Sequence, residues 1–301
     1  MGDLQQGLVK LLAASISPNT EAAYKTATNA FNHFLLEFQL SAAWPVNSQH
    51  VVLFVAYCFE KGLAPSTIHT YVAGVNHFHK LAGGSDLKEV FMIKKLLEGC
   101  LRLRKKKDTR LPISIKILMN VSAILPSVCY DEFEVKMFRA AFLLAYFGLF
   151  RVSEIVASSN LAVNRSISWR DVSMGHENKH LVIILRISKT SQCGAPITLK
   201  IPRETNAELC PVQAVQDYLA IRPNFQGPFF CHANGAPTTR GQFSAVLAKS
   251  IGRILPGCKT IKSHSFRIGR ATQLFGMGLS GDKIKMLGRW RSDAYKSYIR
   301  Q

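Results

Sequence analysis

Acidic side chains are scarce in this 301-residue chain: 19 Asp and Glu stand against 38 Lys and Arg, for a net charge of +19. Paired cysteines are missing too. The seven cysteines are scattered, odd in number and nowhere spaced C-x-x-C. That argues against a zinc site and a disulfide framework, and for a reducing, intracellular compartment. Cys231-His232 is an isolated pair and reads as structural, so no metal site is expected. Long apolar runs are lacking as well. The longest, Ala140 to Phe150, is too short to cross a bilayer and reads as a buried core helix, so no membrane partner is expected. No signal peptide opens the sequence, and no internal repeat or low-complexity tract interrupts it.

What is present is apolar and basic. A hydrophobic content of 48% with 10% aromatics excludes a disordered chain and leaves enough for two cores. The charge is uneven: residues 1–110 hold 13 basic and 8 acidic side chains, whereas residues 253–301 hold 11 and 2. A globular chain so basic is most simply a polyanion binder, and nucleic acid is the commonest polyanion. The bland alternative is a generally basic, soluble protein.

Apolar periodicity organises the first hundred residues as a helical bundle with short loops. Ser17-Pro18-Asn19-Thr20 is a helix entry, followed by Tyr24, Ala27, Phe31, Phe34, Leu35 and Phe38 at spacings of three and four. Trp44-Pro45 breaks that helix. Val51 to Phe59 reads as a second helix, Pro65 opens a third, and Val90 to Leu103 is a fourth. Then comes a run from Arg102 to Pro112 in which six of eleven residues are basic. It reads as a linker over 104–112 between domains at 1–103 and 113–301. Arg104, Lys105, Lys106 and Lys107 are either a solvated charge run or a phosphate-tracking segment.

Beyond the linker, helices are expected over Ser114 to Leu125 and Phe133 to Phe150, with Arg151 to Val156 continuing in helix. The period then changes. His180 to Ile187 and Ala195 to Ile201 read as the strands of a β-hairpin, with Lys189 at its rim. Pro211 to Ile221 and Thr238 to Ile254 are helical, and Ser263, Ser280 and Ser292 are each placed to cap a helix. The fold class expected is mainly α with a small β-hairpin or sheet, an α+β domain following an all-helical one.

The last forty residues concentrate the chemistry. His264 and Arg267 are three apart and share a helix face. Gly288-Arg289-Trp290 follows, then Tyr295 and Tyr298. A base or donor, a fixed cation, an indole N–H and a phenol together suit phosphoryl transfer through a covalent tyrosine intermediate.

Arg151 after an apolar helix, Lys189 in a hairpin, His264-x-x-Arg267, Trp290 and Tyr298 occur in the order used by the tyrosine recombinases, the phage-integrase superfamily. The segment Asn19-Thr20-x-x-x-Tyr24 resembles the start of that superfamily's helical core-binding domain. The resemblance covers about residues 15–301. In its detail around Gly288-Arg289-Trp290 and Tyr298-Ile299-Arg300, the chain is most similar to recombinases of Crypton- and DIRS-type mobile elements.

The resemblance implies a DNA-cutting and rejoining enzyme with no cofactor. Its partners would be double-stranded DNA carrying two recombination sites and further copies of the chain, as a homotetramer on DNA. It would work in the nucleus of a eukaryotic host and otherwise in the cytoplasm. Arg151 and Arg267 would clamp the phosphate, Lys189 would protonate the leaving oxygen, and Trp290 would donate one N–H. His264 would either donate to the phosphate or take the phenol proton. Glu154 would orient Arg151 or a neighbouring ring. Tyr298 is the expected nucleophile and Tyr295 the alternative. Two other readings stay open: a catalytically decayed or domesticated DNA-binding protein, and an enzyme like the type IB topoisomerases. The sequence stops three residues after Tyr298, where many superfamily members have a further helix. Two expectations follow, a shortened element copy or an assembly through other surfaces.

Overall fold

The computed structural model describes residues 2–104, 108–158, 166–186 and 195–300. The chain divides into two compact units, Met1–Asp108 and Thr109–Gln301.

The first unit is helical among its described residues: α1 (Gly2–Ala14), α2 (Pro18–Glu37), α3 (Ser48–Glu60), α4 (Pro65–Leu81) and α5 (Phe91–Leu103). The entry to α2 works as its sequence implies. Pro18 occupies the first turn, and the Ser17 side chain accepts from the Thr20 amide. The stripe on α2 buries Ala27, Phe31, Phe34 and Leu35 completely or nearly so. Phe31 meets Phe54 of α3 edge-on at 5.0 Å. Each such ring contributes about 2–3 kcal/mol by leaving water.

The second unit is built around α7 (Glu132–Phe147), whose residues Ala140 to Tyr146 are all buried. The helices α6 (Ile115–Val128), α9 (Pro211–Leu219) and α11 (Ser265–Gly276) pack against it. Phe142 sits between Phe243 of α10 (Arg240–Ile254), at 4.8 Å, and Phe266 of α11, at 5.3 Å. Gly269 on α11 has a positional reason: a Cβ there would overlap the backbone of Ile113, whose amide donates to the Ser265 carbonyl at 3.1 Å. Two short helices complete the set, α8 (Val152–Ile155) and α12 (Gly281–Leu287).

The sheet has three antiparallel strands in the order β1 (Val172–Met174), β2 (His180–Leu185), β3 (Ile197–Pro202). On β2, Leu181, Ile183 and Leu185 face the core and alternate with half-exposed neighbours. Leu181 pairs with Ile201 and Ile183 with Leu199, which fixes the register.

Three local expectations need correction. The helix over Phe133 to Phe150 stops at Phe147. Arg151 does not continue it; it is extended, at φ −76° and ψ 145°, and precedes the separate helix α8. The cap of α11 is His264, not Ser263. Ser292 caps its segment as expected: its side chain accepts from the Ala294 amide at the start of a 3-10 helix, Asp293–Tyr298. The hairpin also carries a third strand, β1, that the alternation did not reveal.

Candidate active site

The site forms where α7 ends. Gly148 caps α7, and Leu149 turns the chain with φ 49°, a left-handed conformation costly for a side chain with a Cβ. The carbonyls of Gly148 and Leu149 then point at two buried arginines. Arg289 donates through Nη1 to Gly148 at 3.0 Å and through Nη2 to Leu149 at 3.0 Å. Arg267 donates to Leu149 and, at 3.0 Å, to the carbonyl of Gly288. Cations at the C-terminal end of a helix meet its negative pole, which favours the arrangement.

Two residues on, Arg151 and Glu154 lock together across the first turn of α8. The Glu154 carboxylate accepts from the Arg151 amide at 2.9 Å and from its guanidinium at 2.9 Å. Its second partner is Arg289, at 3.0 Å. Burial works to push the Glu154 carboxyl up, but Arg289, the Arg151 amide, the Arg151 charge and Arg267 outweigh it. Its pKa is held below the ordinary carboxylate range. For Arg267 the direction is also downward, from burial first and then from the like charges of Arg151 and Arg289. Three guanidiniums therefore share one carboxylate among the described residues, and the cluster carries excess positive charge.

The aromatic side of the site is set by α11 and the chain after α12. Arg267 is fully buried, with Cζ 4.6 Å from the Trp290 ring and 5.7 Å from the Tyr298 ring. Tyr298 stands 4.8 Å from His264 and 5.0 Å from Trp290, centroid to centroid. Gly288 admits the indole, since a Cβ there would overlap the Trp290 ring. Trp290 packs with Leu149, Ala271, Leu274 and Ile284 in a small separate apolar cluster. Thr272 on α11 fixes the backbone around Tyr298: its hydroxyl donates to the Tyr298 carbonyl at 3.3 Å and accepts from the Arg300 amide at 3.1 Å. Tyr295 meets Trp290 at 6.4 Å, and its hydroxyl lies against Gly281 at the start of α12.

The fold thus gathers Arg151, Glu154, His264, Arg267, Trp290 and Tyr298 in one place. Lys189, Lys105, Lys106 and Lys107 lie outside the described residues. Arg104 ends α5 in the first unit, with its guanidinium 3.8 Å over the Phe59 ring. Sequence reasoning passed over Arg289 and Thr272. Arg289 had one signal, its place inside the quoted Gly288-Arg289-Trp290 motif; Thr272 had none.

The Nε of Arg267, the Nε of Arg289 and the Nε1 of Trp290 are buried N–H groups without an acceptor. Unsatisfied buried donors are costly, about 1–3 kcal/mol each. An anion entering the cluster relieves that cost and meets the excess positive charge. Chemically, the site suits a tetrahedral anionic group flanked by a phenol.

Comparison with known proteins agrees with this geometry at the level of fold. Residues 9–84 match the phage integrase N-terminal SAM-like domain. The Tn1549 transposon integrase, solved with circular intermediate DNA, superposes with a TM-score of 0.63 at 15% identity, covering 97% of this chain and 94% of that one. The fold is that of the tyrosine recombinases. A lambda integrase dimer bound to a COC′ core site gives a TM-score of 0.63 at 15% identity, over 100% of this chain and 77% of that one. XerH site-specific recombinase, in a post-cleavage complex with palindromic difH substrate, gives 0.58 at 13%, over 90% and 72%. A search of curated proteins finds no match. In the tyrosine recombinase fold of this chain, no described helix is long and apolar enough to cross a membrane. No described group of three or more His, Cys, Asp or Glu is placed to hold a metal ion.

Proposed function

We propose that the chain is a site-specific DNA recombinase that cuts and rejoins duplex DNA through a 3′-phosphotyrosyl intermediate. One observation carries this reading: Tyr298 stands against His264, Trp290 and the buried Arg267, beside a cluster whose unsatisfied N–H groups await an anion. The relatives solved with DNA support DNA as the source of that anion.

The Tyr298 phenol oxygen attacks the scissile phosphorus. The Tyr–O–P bond forms as the P–O5′ bond breaks, and the phenol proton leaves as the 5′-oxygen gains one. Arg151 and Arg267 offer planar forks that match the non-bridging oxygens, and the indole of Trp290 donates one more hydrogen bond. His264, against the Tyr298 ring, is placed to receive the phenol proton or to donate to the phosphate. Lys189 is assigned to the leaving 5′-oxygen from sequence order alone. In the second half, a 5′-hydroxyl from another duplex attacks the phosphotyrosine and regenerates the phenol. The bond energy is conserved, so no metal or nucleotide is needed.

Recombination joins two sites, so the acting unit is an oligomer of this chain on DNA, a tetramer as in the lambda integrase bound to a Holliday junction. The motif detail around Trp290 and Tyr298 supports a mobile element of the Crypton or DIRS type as its source. The first unit and the basic run through Arg104 and Lys105 to Lys107 serve as further duplex contacts. Suicide substrates that carry a nick beside the scissile phosphate test the proposal. A covalent protein–DNA adduct that disappears on protease treatment supports it; DNA binding without any adduct leaves a binding protein instead. Relaxation of a supercoiled plasmid without exchange between two sites would point to a topoisomerase.

A further inference from the structure

Arg289 has no part in the phosphoryl-transfer steps above, yet it is among the most constrained side chains of the site. Its side chain is 5% exposed. Its guanidinium spans the Gly148 and Leu149 carbonyls and the Glu154 carboxylate, each at 3.0 Å, and lies 5.1 Å over the Phe150 ring. The backbone at Arg289 is left-handed, at φ 57°. Such strain persists only where surrounding contacts over-determine it.

The geometry points to Arg289 as a positioning residue: it holds Glu154 and the α7 exit turn in register, and through Glu154 it fixes the direction of the Arg151 guanidinium. This rests on the recombinase reading of the site. The carboxylate has two faces. One oxygen takes the Arg151 guanidinium, while the other takes the Arg151 amide and Arg289. Without Arg289 the carboxylate keeps only its two Arg151 hydrogen bonds, and the pair loses the contact that ties its direction to the turn after α12. Arg289 also grips the Leu149 carbonyl that Arg267 grips. One buried cation thereby sets the spacing of the two phosphate-clamping arginines.

The same contact makes activity depend on pH in a particular way. The charged groups facing Glu154 are Arg151 from the turn before α8, Arg267 from α11 and Arg289 from the turn after α12. Remove Arg289, and the largest influence opposing burial is lost, so the carboxyl titrates higher than in the wild type. A neutral Glu154 no longer holds Arg151. The slowing is therefore deepest at acid pH and recovers as pH rises.

Single-turnover cleavage of the nicked substrate, beside DNA binding and thermal unfolding, tests the proposal. Arg289→Met is expected to keep wild-type DNA affinity, because its guanidinium is engaged by the Gly148 and Leu149 carbonyls and Glu154. Its cleavage should be slower by about 10²-fold, the scale of a misplaced catalytic group. The ratio of wild-type to variant rates should narrow as pH rises. Arg289→Lys keeps the charge and one bond but not the fork, and should lose about tenfold. Adding Arg289→Met to Glu154→Gln should slow cleavage no further than the slower single variant, since both act on Arg151 through one contact. Wild-type rates in both arginine variants, multiplicative losses in the double variant, or a pH-independent ratio would overturn the proposal. If Arg289→Met does not fold, Arg289→Lys decides alone: slowed cleavage with unchanged binding supports the role, and an unchanged rate ends it. Absence of any adduct from the wild-type protein is a different result; it removes the recombinase reading itself.

Discussion

Glu154 and Arg289, 135 residues apart in sequence, form an ion pair of 3.0 Å in which neither side chain is more than 5% exposed. A charge removed from water so completely is tolerable only when paired, and breaking such a pair costs about 3–5 kcal/mol. The pair ties the exit of α7 to the turn after α12. Its two ends carry Arg151 on one side and Trp290 on the other, so the contact that stabilises the second unit also assembles its site.

Tyr298 rather than Tyr295 is expected to form the covalent adduct. Its ring meets His264, Trp290 and the Arg267 charge, whereas the Tyr295 hydroxyl packs against Gly281. Tyr298→Phe should abolish trapping on nicked DNA while leaving DNA affinity unchanged. Tyr295→Phe should trap within about threefold of wild type, the scale of a surface change under 1 kcal/mol. The reverse pattern would transfer the nucleophile's role to Tyr295.

Trp290 separates packing from hydrogen bonding. Trp290→Phe keeps most of the apolar contact with Leu149, Leu274 and Ile284 but deletes the buried N–H. Cleavage should fall by about 10–10²-fold, with melting lowered only modestly. Trp290→His restores a ring N–H and should cleave faster than Trp290→Phe. Trp290→Ala should in addition destabilise the second unit by about 3–5 kcal/mol. Equal rates for the Phe and His variants would show that the N–H is idle.

Thr272 pins the backbone on both sides of Ile299. Thr272→Val preserves shape and removes both hydrogen bonds, at about 1–3 kcal/mol. That loosening should appear as faster proteolysis near the C-terminus and a slower first turnover. Thr272→Ser keeps the hydroxyl and should behave like wild type. A valine variant with unchanged turnover would make the latch irrelevant to Tyr298.

In the first unit, Asp86 predicts an acid transition. Its carboxyl is lowered to about 2 by the Lys88 amide, then by Lys80 and Asn76. A carboxyl lower in the folded state than in the unfolded chain stabilises above the ordinary value near 3.8. That contribution is lost as pH falls through about 2. Asp86→Asn should lower the melting temperature at neutral pH and do so far less at about pH 2, where Asp86 is about half protonated. Melting curves at the two pH values check this, and an equal loss at both would assign the effect to packing.

Much of the fold was legible because the bundle helices carry their own instructions. Ser17 and Pro18 start α2, Pro65 starts α4, and Pro211 starts α9, each by fixing backbone angles or satisfying an amide locally. The β2–β3 pairing was visible in alternation, but β1 is three residues long, too short for any period to register. The helix over Phe133 to Phe150 was overrun for a related reason. Hydrophobicity reports burial, and burial continues through Leu149 and Phe150 although the helix has ended.

The sequence alone determined which chemistry was on offer. Residue type and order placed two arginines, a histidine, an indole and two tyrosines where phosphoryl transfer is their common use, and the surplus of Lys and Arg named a polyanion. Tertiary structure decided the rest. It set Tyr298 against His264 and Arg267, and it turned Arg289 inward to Glu154. It also gave Thr272 a task that no motif announces. The physical reason is that local signals act over a few residues, through caps, turns and periodicity. An ion pair or a shared carbonyl joins segments more than a hundred residues apart, and it exists only once the core between them has closed.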